Sequence, residues 1–253
     1  MILILTYHKV VATVNDDNGF YTITRDALQQ QLATLQTRGY RYLGADELLS
    51  NGPPPPNSCL MTFDDGTEDH YGTVLPLLQK HNVRGVFFVC SSKFDLPGYL
   101  TRHQIQEIAQ QGHIIGCHAH QNHRLDQMTT EEIHEQITRC HRVITEVIGT
   151  PPVMFAPPGG YADARVRAEA LAGGMKMIRT LRWGYNDRPN LSDLESIPLN
   201  RYVGSGQFND ILDRRRALAM TVLYQLKQTA KALLPHHLYE VVRKAVGATI
   251  HGK

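Results

Sequence analysis

The chain has 253 residues, 42% of them hydrophobic, so it can bury a substantial core as one large α/β domain or as two smaller domains. Its 26 basic and 24 acidic residues leave a formal net charge of +2, and this balance provides no overall field for binding nucleic acid. The four cysteines are widely spaced without a CxxC pair, which argues against a disulfide framework or a zinc knuckle and favours a reducing compartment.

The first residues form an apolar run that we interpret as a buried strand rather than an export signal. The run lacks a basic leading segment, is short for a signal core and passes at once into Tyr7 and His8. No window approaches the ~20 apolar residues that a membrane helix needs. We therefore expect a cytoplasmic protein.

Short apolar runs alternate with helical patterns along most of the chain. The predicted strands cover residues 2–6, 40–43, 59–63, 85–90, 114–117, 154–155, 177–180 and 197–199. The predicted helices lie between the cap Thr24 and Gly39 and over residues 45–50, 71–81, 101–111, 130–148 and 162–172. This alternation implies parallel pairing with right-handed crossovers, so we expect an α/β fold that closes as a deformed (β/α) barrel.

The chain divides, in our interpretation, into a barrel domain over residues 1–205 and a helical C-terminal extension over residues 206–253. From Asp210 onward, leucine and valine recur at helical spacing among arginines and lysines, and Pro235 should break the helix into two pieces. Two interpretations of this extension stay open: helices packed on the barrel, or a basic amphipathic surface that makes peripheral contact with an anionic membrane.

Acidic and imidazole side chains follow two of the predicted strands. Asp64 and Asp65 end the strand over residues 59–63, and His118, His120 and His123 follow the strand over residues 114–117. The carboxyl ends of parallel strands gather functional groups at one edge of a sheet. A carboxylate with two imidazoles is a recurring ligand set for a catalytic divalent metal.

Three segments stand out in chain order: Thr62-Phe63-Asp64-Asp65-Gly66, the histidine loop, and Phe155-Ala156-Pro157-Pro158-Gly159-Gly160. They resemble, in this order, the first, second and third motifs of the polysaccharide deacetylases, carbohydrate esterase family four, whose shared domain is the NodB homology domain. The resemblance covers residues 1–205. The opening Tyr7-His8-Lys9-Val10 is similar to the branch that includes biofilm poly-N-acetylglucosamine deacetylases.

The resemblance implies a NodB-type barrel of about seven strands and metal-dependent removal of an acetyl group from an N-acetylated sugar. It assigns Asp64 as the general base and Asp65 as a metal ligand. His118 and His123, five residues apart as in the biofilm-type branch, would complete the ligand set, with His120 as the competing ligand. Zinc is the expected ion, with cobalt or nickel as replacements.

The sequence departs from the common family pattern in two places. The usual late histidine is absent, which makes His8 the candidate general acid, unless it is a structural histidine at a strand end. Ala156 stands where the family commonly has an arginine that steadies the base, and Arg179, Arg182 or Arg201 could reach the same space.

The third motif and the only tryptophan are the candidate substrate-binding groups. We expect these residues to be Pro157, Pro158, Gly159, Tyr161 and Trp183. The proline-glycine segment would shape a groove wall and place a backbone N–H for an oxyanion. Trp183 would stack on sugar or cover the acetyl pocket, with a buried core indole as the alternative.

Three function classes remain open at this stage. We favour an N-deacetylase of exopolysaccharide or precursor metabolism, whose partner is an N-acetylglucosamine-type polysaccharide, oligosaccharide or lipid-linked sugar. The others are a non-catalytic carbohydrate-binding homologue and a deformylase of a lipid-linked amino sugar. The sequence leaves the oligomeric state open.

Overall fold

A parallel sheet forms the centre of the first compact unit of the chain, which spans Met1–Asn200 in a computed structural model. The structure describes residues 1–15, 18–49 and 54–215, together with Val222. The strands of the main sheet are β1 (Ile2–Tyr7), β4 (Arg41–Tyr42), β5 (Ser58–Phe63), β6 (Gly85–Val89), β7 (Ile114–Cys117), β8 (Met154–Phe155), β9 (Met177–Ile178) and β10 (Ile197–Pro198). The intervening β2 (Lys9–Val11) and β3 (Thr22–Thr24) pair with each other in a second, small sheet.

All pairings in the main sheet are parallel, in the order β10-β1-β5-β6-β7-β8-β9. β5 pairs with β1 along its whole length; its other edge pairs with β4 at its start and β6 at its end. Every residue of β1 and β5 is buried, as expected for strands that are covered on both faces. The predicted α/β class is therefore confirmed.

Helices follow most of the strands. They are α1 (Arg25–Thr37), α2 (Ala45–Leu49), α3 (Leu75–Lys80), α4 (Arg102–Gln110), α5 (Thr130–Ile148) and α6 (Ala164–Ala172). Thr24 caps α1, as predicted, by accepting a hydrogen bond from the Ala27 N–H at 3.1 Å. At the start of α5, Thr129 and Glu132 form a reciprocal capping box, and Gly149 ends the helix with a positive φ of 76°.

The helix predicted over residues 71–81 differs in the structure. It begins as a π-helical turn, His70–Val74, in which the Leu75 N–H bonds to the His70 carbonyl, and only α3 is regular α-helix. Pro76 has no N–H to continue the α-helical ladder back to residue 72, which explains why the regular helix starts afresh at this point. The short strands β2 and β3 were not predicted either.

The described part of the second unit, which starts at Arg201, contains helix α7 (Ser205–Leu212). The extension predicted over residues 206–253 therefore lies mostly outside the described residues, and its helical breaks and membrane contact stay predictions. No helix within the described residues is long and apolar enough to cross a membrane.

Close packing between β6 and β7 depends on a glycine. Gly116 pairs with Phe88, and a Cβ on Gly116 would lie 2.4 Å from the Phe88 ring. The parallel order also brings five strand ends to one edge of the sheet. The residues that directly follow β1, β5, β7, β8 and β9 are, in that order, His8, Asp64, His118, Ala156 and Arg179.

A buried histidine in the turn before β7 makes the stability of the fold depend on pH. His113 is 7% exposed, and its Nδ1 accepts a hydrogen bond from the Gly85 N–H at 3.1 Å. Burial, together with the charge of Arg84, lowers the pKa of His113 to about 4. Protonation in the folded state would also break the bond to Gly85, because Nδ1 could then only donate.

We expect acid to destabilise the fold through His113. The unfolded chain has a histidine pKa near ~6.5, so it binds more protons than the folded chain between that pH and about 4. The free energy of unfolding is therefore unaffected by His113 above pH ~6.5 and decreases as the pH falls toward 4, by up to about 3 kcal/mol. Urea unfolding at several pH values measures it. His113→Asn keeps an acceptor without titrating and should flatten the dependence; equal slopes for both proteins would contradict the assignment.

Candidate active site

The acidic tip after β5 directs its two carboxylates to different neighbours. The Asp64 N–H bonds to the Tyr7 carbonyl at 2.9 Å, so the pairing of β1 with β5 continues to the tip. Asp65 then has a positive φ of 75° and Gly66 one of 67°. A Cβ on Gly66 would lie 3.0 Å from the Val89 side chain, so both the turn and the space favour glycine there.

Asp64 is buried against an arginine. Its side chain is 1% exposed, and Oδ1 accepts a hydrogen bond in an ion pair from Nη2 of Arg179, which is fully buried. The Arg179 guanidinium also lies over the Phe88 ring, 4.9 Å from its centroid. Asp64 Oδ2 is not used by this ion pair and faces His8.

Arg179, one of the three candidate arginines, contacts Asp64. Arg182 forms ion pairs instead, with Asp193 at 2.8 Å and with Glu195 at 3.0 Å. Arg201 is the first residue of the second unit, and its role beside the base stays a prediction. The Arg179 guanidinium thus contacts Asp64, although the residue expected to be an arginine in the third motif is Ala156.

His8 lies at the end of β1 with its ring directed at the acidic tip. Its Nε2 is 3.8 Å from Asp64 Oδ2, beyond ordinary hydrogen-bonding distance. The ring stacks on Tyr21 with centroids 4.8 Å apart and an interplanar angle of 16°. Burial lowers the pKa of His8 below its ordinary value, although the charges of Asp64 and Asp65 oppose this effect.

Asp65 lies beside His118, which follows β7. Asp65 Oδ1 is 3.5 Å from His118 Nε2 and accepts a hydrogen bond from Asn122 Nδ2 at 2.9 Å. His118 Nδ1 lies 2.6 Å from the Ala156 carbonyl oxygen. Because a carbonyl oxygen only accepts, Nδ1 carries the hydrogen and donates, which directs the other ring nitrogen toward Asp65.

The charges of this pair reinforce each other. Burial alone would lower the pKa of His118, but hydrogen bonding to Asp65 and the charges of Asp64 and Asp65 raise it above the ordinary value. Burial would likewise raise the pKa of Asp65, yet the hydrogen bond and charge of His118 hold it well below the usual range. A site that favours an anionic carboxylate beside an imidazole has donors suited to a divalent cation.

The other two histidines of the loop lie apart from this pair. His123 is exposed, and its backbone N–H bonds to the Gln121 carbonyl at 2.9 Å. His120 is half-buried, and its Nδ1 is 2.8 Å from Ser91 Oγ. Among the described residues, no three His, Cys, Asp or Glu side chains are grouped closely enough to hold a metal ion. Of the predicted ligands, Asp65 and His118 lie side by side, while the role of His123 as the third ligand stays a prediction.

The third motif follows β8 and includes Ala156, whose carbonyl accepts the hydrogen bond from His118; its role as a groove wall stays a prediction. Pro157 and Pro158 are buried, and Gly159 has a positive φ of 67° in a short 3-10 turn. The Arg124 guanidinium lies over the Tyr161 ring, 3.9 Å from its centroid. Trp183 is 6% exposed and packs edge-on against Tyr185, an arrangement typical of a core indole.

Several contacts in the site were not predicted from the sequence. Asn122 adjoins His123 in the histidine loop, and an amide there gave no signal of its own beside three imidazoles. Tyr21 reaches His8 through a loop and a small sheet that no periodic pattern indicated. Ala156 accepts the hydrogen bond from His118 through its backbone carbonyl, a contact that any residue at this position could make.

Comparison with known proteins agrees with this geometry. The family model for polysaccharide deacetylase matches residues 51–178, just over half of the chain. This chain belongs to the polysaccharide deacetylase family. The match contains both carboxylates, the histidine loop and the third motif, and it ends at the residue before Arg179.

Two curated relatives align with this chain over only part of their own length. YlxY of Bacillus subtilis is 38% identical over 148 residues, which cover 56% of this chain and 44% of that protein. The peptidoglycan-N-acetylglucosamine deacetylase PgdA of Listeria monocytogenes is 32% identical over 133 residues, covering 50% of this chain and 27% of that protein. The aligned region is thus less than half of either relative.

Two solved structures share the fold of this chain. The Streptococcus pyogenes deacetylase PplD, in complex with acetate, superposes with a TM-score of 0.76 at 20% identity, covering 84% of this chain and 96% of that chain. IcaB from Ammonifex degensii superposes with a TM-score of 0.74 at 22% identity, covering 85% and 97%. The predicted deformed (β/α) barrel is confirmed by these likenesses.

Proposed function

We propose that this polysaccharide deacetylase homologue hydrolyses the N-acetyl group of an N-acetylglucosamine-type sugar, with a divalent metal ion as cofactor. The observation that carries the proposal is that the two adjacent carboxylates of the acidic tip contact different partners. Asp64 is paired with Arg179 through one oxygen and faces His8 with the other, whereas Asp65 is paired with His118. Two neighbouring carboxylates with different partners suit two different chemical roles.

Asp65 and His118 would hold the metal, with His123 as the proposed third ligand. The hydrogen bond from His118 Nδ1 to the Ala156 carbonyl keeps the Nε2 lone pair available and fixes the ring, as supporting groups do for metal-binding histidines. When bound, a divalent ion polarises an amide carbonyl and lowers the pKa of water from ~15.7 toward ~7. Zinc suits this mixed oxygen and nitrogen donor set, with cobalt or nickel as substitutes.

Asp64 would act as the general base through Oδ2. The ion pair with Arg179 fixes the carboxylate through Oδ1, so Oδ2 is held in place to accept a proton from the attacking water. Transfer of this proton lets the water oxygen bond to the acetyl carbon. The Gly159 backbone N–H, in the third motif, is our candidate donor to the oxyanion.

His8 would supply the proton to the leaving amine. Its lowered pKa means that the ring is mostly neutral at pH 7, so it must gain a proton before it can donate one. Asp64 Oδ2, 3.8 Å away, can pass on the proton that it takes from water. His8 then protonates the amide nitrogen as the carbon–nitrogen bond breaks, and acetate and a free amino sugar are the products.

Release of acetate is the decisive test. We expect the zinc-loaded chain to release acetate from an N-acetylglucosamine oligomer, to lose this activity after dialysis against a chelator, and to recover it with zinc, cobalt or nickel. Enzymatic assays for acetate and formate on matched N-acetyl and N-formyl oligomers measure the preference. Faster release of formate would support a deformylase instead, and saturable binding without turnover would support a non-catalytic carbohydrate-binding protein.

A further inference from the structure

Within the part of the chain that the structure describes, no hydrogen bond orients the ring of His8. Its Nε2 is 3.8 Å from Asp64 Oδ2, and its Nδ1 is buried without a hydrogen-bonding partner among the described residues. Acid–base histidines usually owe their orientation to a hydrogen bond on the second ring nitrogen. In this protein the direction of the His8 ring must come from stacking on Tyr21 and from the backbone that carries it.

Two consecutive side chains hold that backbone. Asp69 Oδ2 accepts a hydrogen bond from the Val10 N–H at 2.7 Å. His70 Nε2 lies 2.7 Å from the His8 carbonyl oxygen, to which it donates because a carbonyl oxygen only accepts. The two bonds lie on either side of Lys9, whose side chain is exposed. Asp69 and His70, a few residues after the acidic tip, thus anchor the backbone next to His8.

The His70 ring is itself fixed in place. It is fully buried and lies against the rings of Phe63 and Phe87, with both centroid distances 5.8 Å. Its backbone begins the π-helical turn before α3, and such turns are rare and frequent at functional sites. The other ring nitrogen, Nδ1, is buried without a partner in the part of the chain that the structure describes. Among the described residues, the hydrogen bond that this ring makes is therefore the one to the His8 carbonyl.

We propose that Asp69 and His70 are positioning residues for His8, and that they hold its ring against Asp64 through the backbone on both sides of Lys9. This inference rests on the proposed function, because it assumes that His8 works with Asp64. Its physical basis is that a shift of about 1 Å in a reacting group can cost up to ~10²-fold in rate. The segment of residues 64–70 thereby carries the proposed base, Asp64, and also holds the backbone of the proposed acid, His8.

A double-mutant cycle separates positioning from general stability. In the zinc-loaded chain, His70→Phe keeps an aromatic ring beside Phe63 and Phe87 but removes the donor to His8. We expect kcat for an N-acetylglucosamine oligomer to fall about tenfold or more with little change in KM. In a His8→Ala background the same change should have almost no further effect, because there is no ring left to position. Equal losses in both backgrounds would overturn the proposal.

Conservative replacements sharpen the result. His70→Gln retains an N–H donor at nearly the position of Nε2 and should restore most of the kcat lost in His70→Phe. Asp69→Ala removes the acceptor for Val10 and should resemble His70→Phe. Lys9→Ala changes the exposed side chain between the two anchors while leaving both bonds intact, so it should behave as the unmodified chain. Loss of activity in Lys9→Ala, or none in Asp69→Ala, would contradict the proposal.

A measurement that does not need turnover distinguishes failure of this inference from failure of the proposed function. Stacking on Tyr21 should give the His8 ring protons a ring-current shift in NMR spectra of the full chain. We expect this shift to be lost in Asp69→Ala and His70→Phe and kept in His70→Gln and Lys9→Ala. If the unmodified chain released no acetate, the proposed function would fail, and the NMR result alone would decide whether these residues position His8.

Discussion

Replacement of Asp64 by asparagine should reduce kcat for deacetylation by about 10³-fold or more. The amide oxygen can still accept the hydrogen bond from Arg179, but the side chain no longer takes a proton from water, and general-base catalysis is typically worth ~10²–10⁴-fold. The buried Arg179 charge also loses its counter-charge, which disturbs the site further. Acetate release from an N-acetylglucosamine oligomer, with zinc saturating, measures the effect.

The adjacent carboxylate provides the matched control for this prediction. Asp65→Asn should weaken zinc binding, because Asp65 is the proposed ligand beside His118, whereas Asp64→Asn should bind zinc nearly as the unmodified chain does. Calorimetric titration with zinc, alongside a thermal unfolding curve for each variant, separates the two roles. If Asp64→Asn kept a tenth of the activity, or lost zinc as Asp65→Asn does, the assignment of base and ligand would be wrong.

Structural features that depend on local sequence or on the parallel order of strands were predicted, whereas features that depend on particular contacts between distant segments were not. Helix α5 was predicted at its observed bounds because its caps and its apolar period are local features. The acidic tip and the histidine loop were predicted to share one edge, because parallel strands align their carboxyl ends. Pairing of β2 with β3 could not be predicted, since strands of three residues show no clear alternation.

The choice of arginine depended on geometry that the sequence does not contain. Arg179 and Arg182 are three residues apart at the end of a strand of two residues, and either one was compatible with the pattern. Only the register of β9 on β8 places the first residue after the strand beside Asp64 and directs Arg182 to Asp193. The position of the His123 side chain could not be predicted from the sequence either, because His123 lies in a turn without helical or strand periodicity.

Removal of the Arg179 guanidinium should destabilise the fold as well as the site. Arg179→Met leaves Asp64 buried and charged without a counter-ion, and breaking a buried pair from one side typically costs about 3–5 kcal/mol. We also expect deacetylation to fall at least tenfold, because Oδ2 of Asp64 is no longer held toward His8. Urea unfolding and acetate release measure the two effects separately. Arg182→Met is the matched control, and the half-exposed pairs that it breaks should cost only about 1 kcal/mol.

A double substitution determines whether the buried pair is kept for stability or for catalysis. Replacing both partners of a buried ion pair by apolar residues is often neutral or stabilising, since neither charge is then left unpaired. Arg179→Met combined with Asp64→Leu should therefore recover most of the stability lost in Arg179→Met while remaining inactive. Such a result would mean that the fold can do without the pair and that the chemistry cannot. If the double variant were as unstable as Arg179→Met alone, the pair would instead be a packing requirement of the strand ends, and its charge would not explain its presence beside His8.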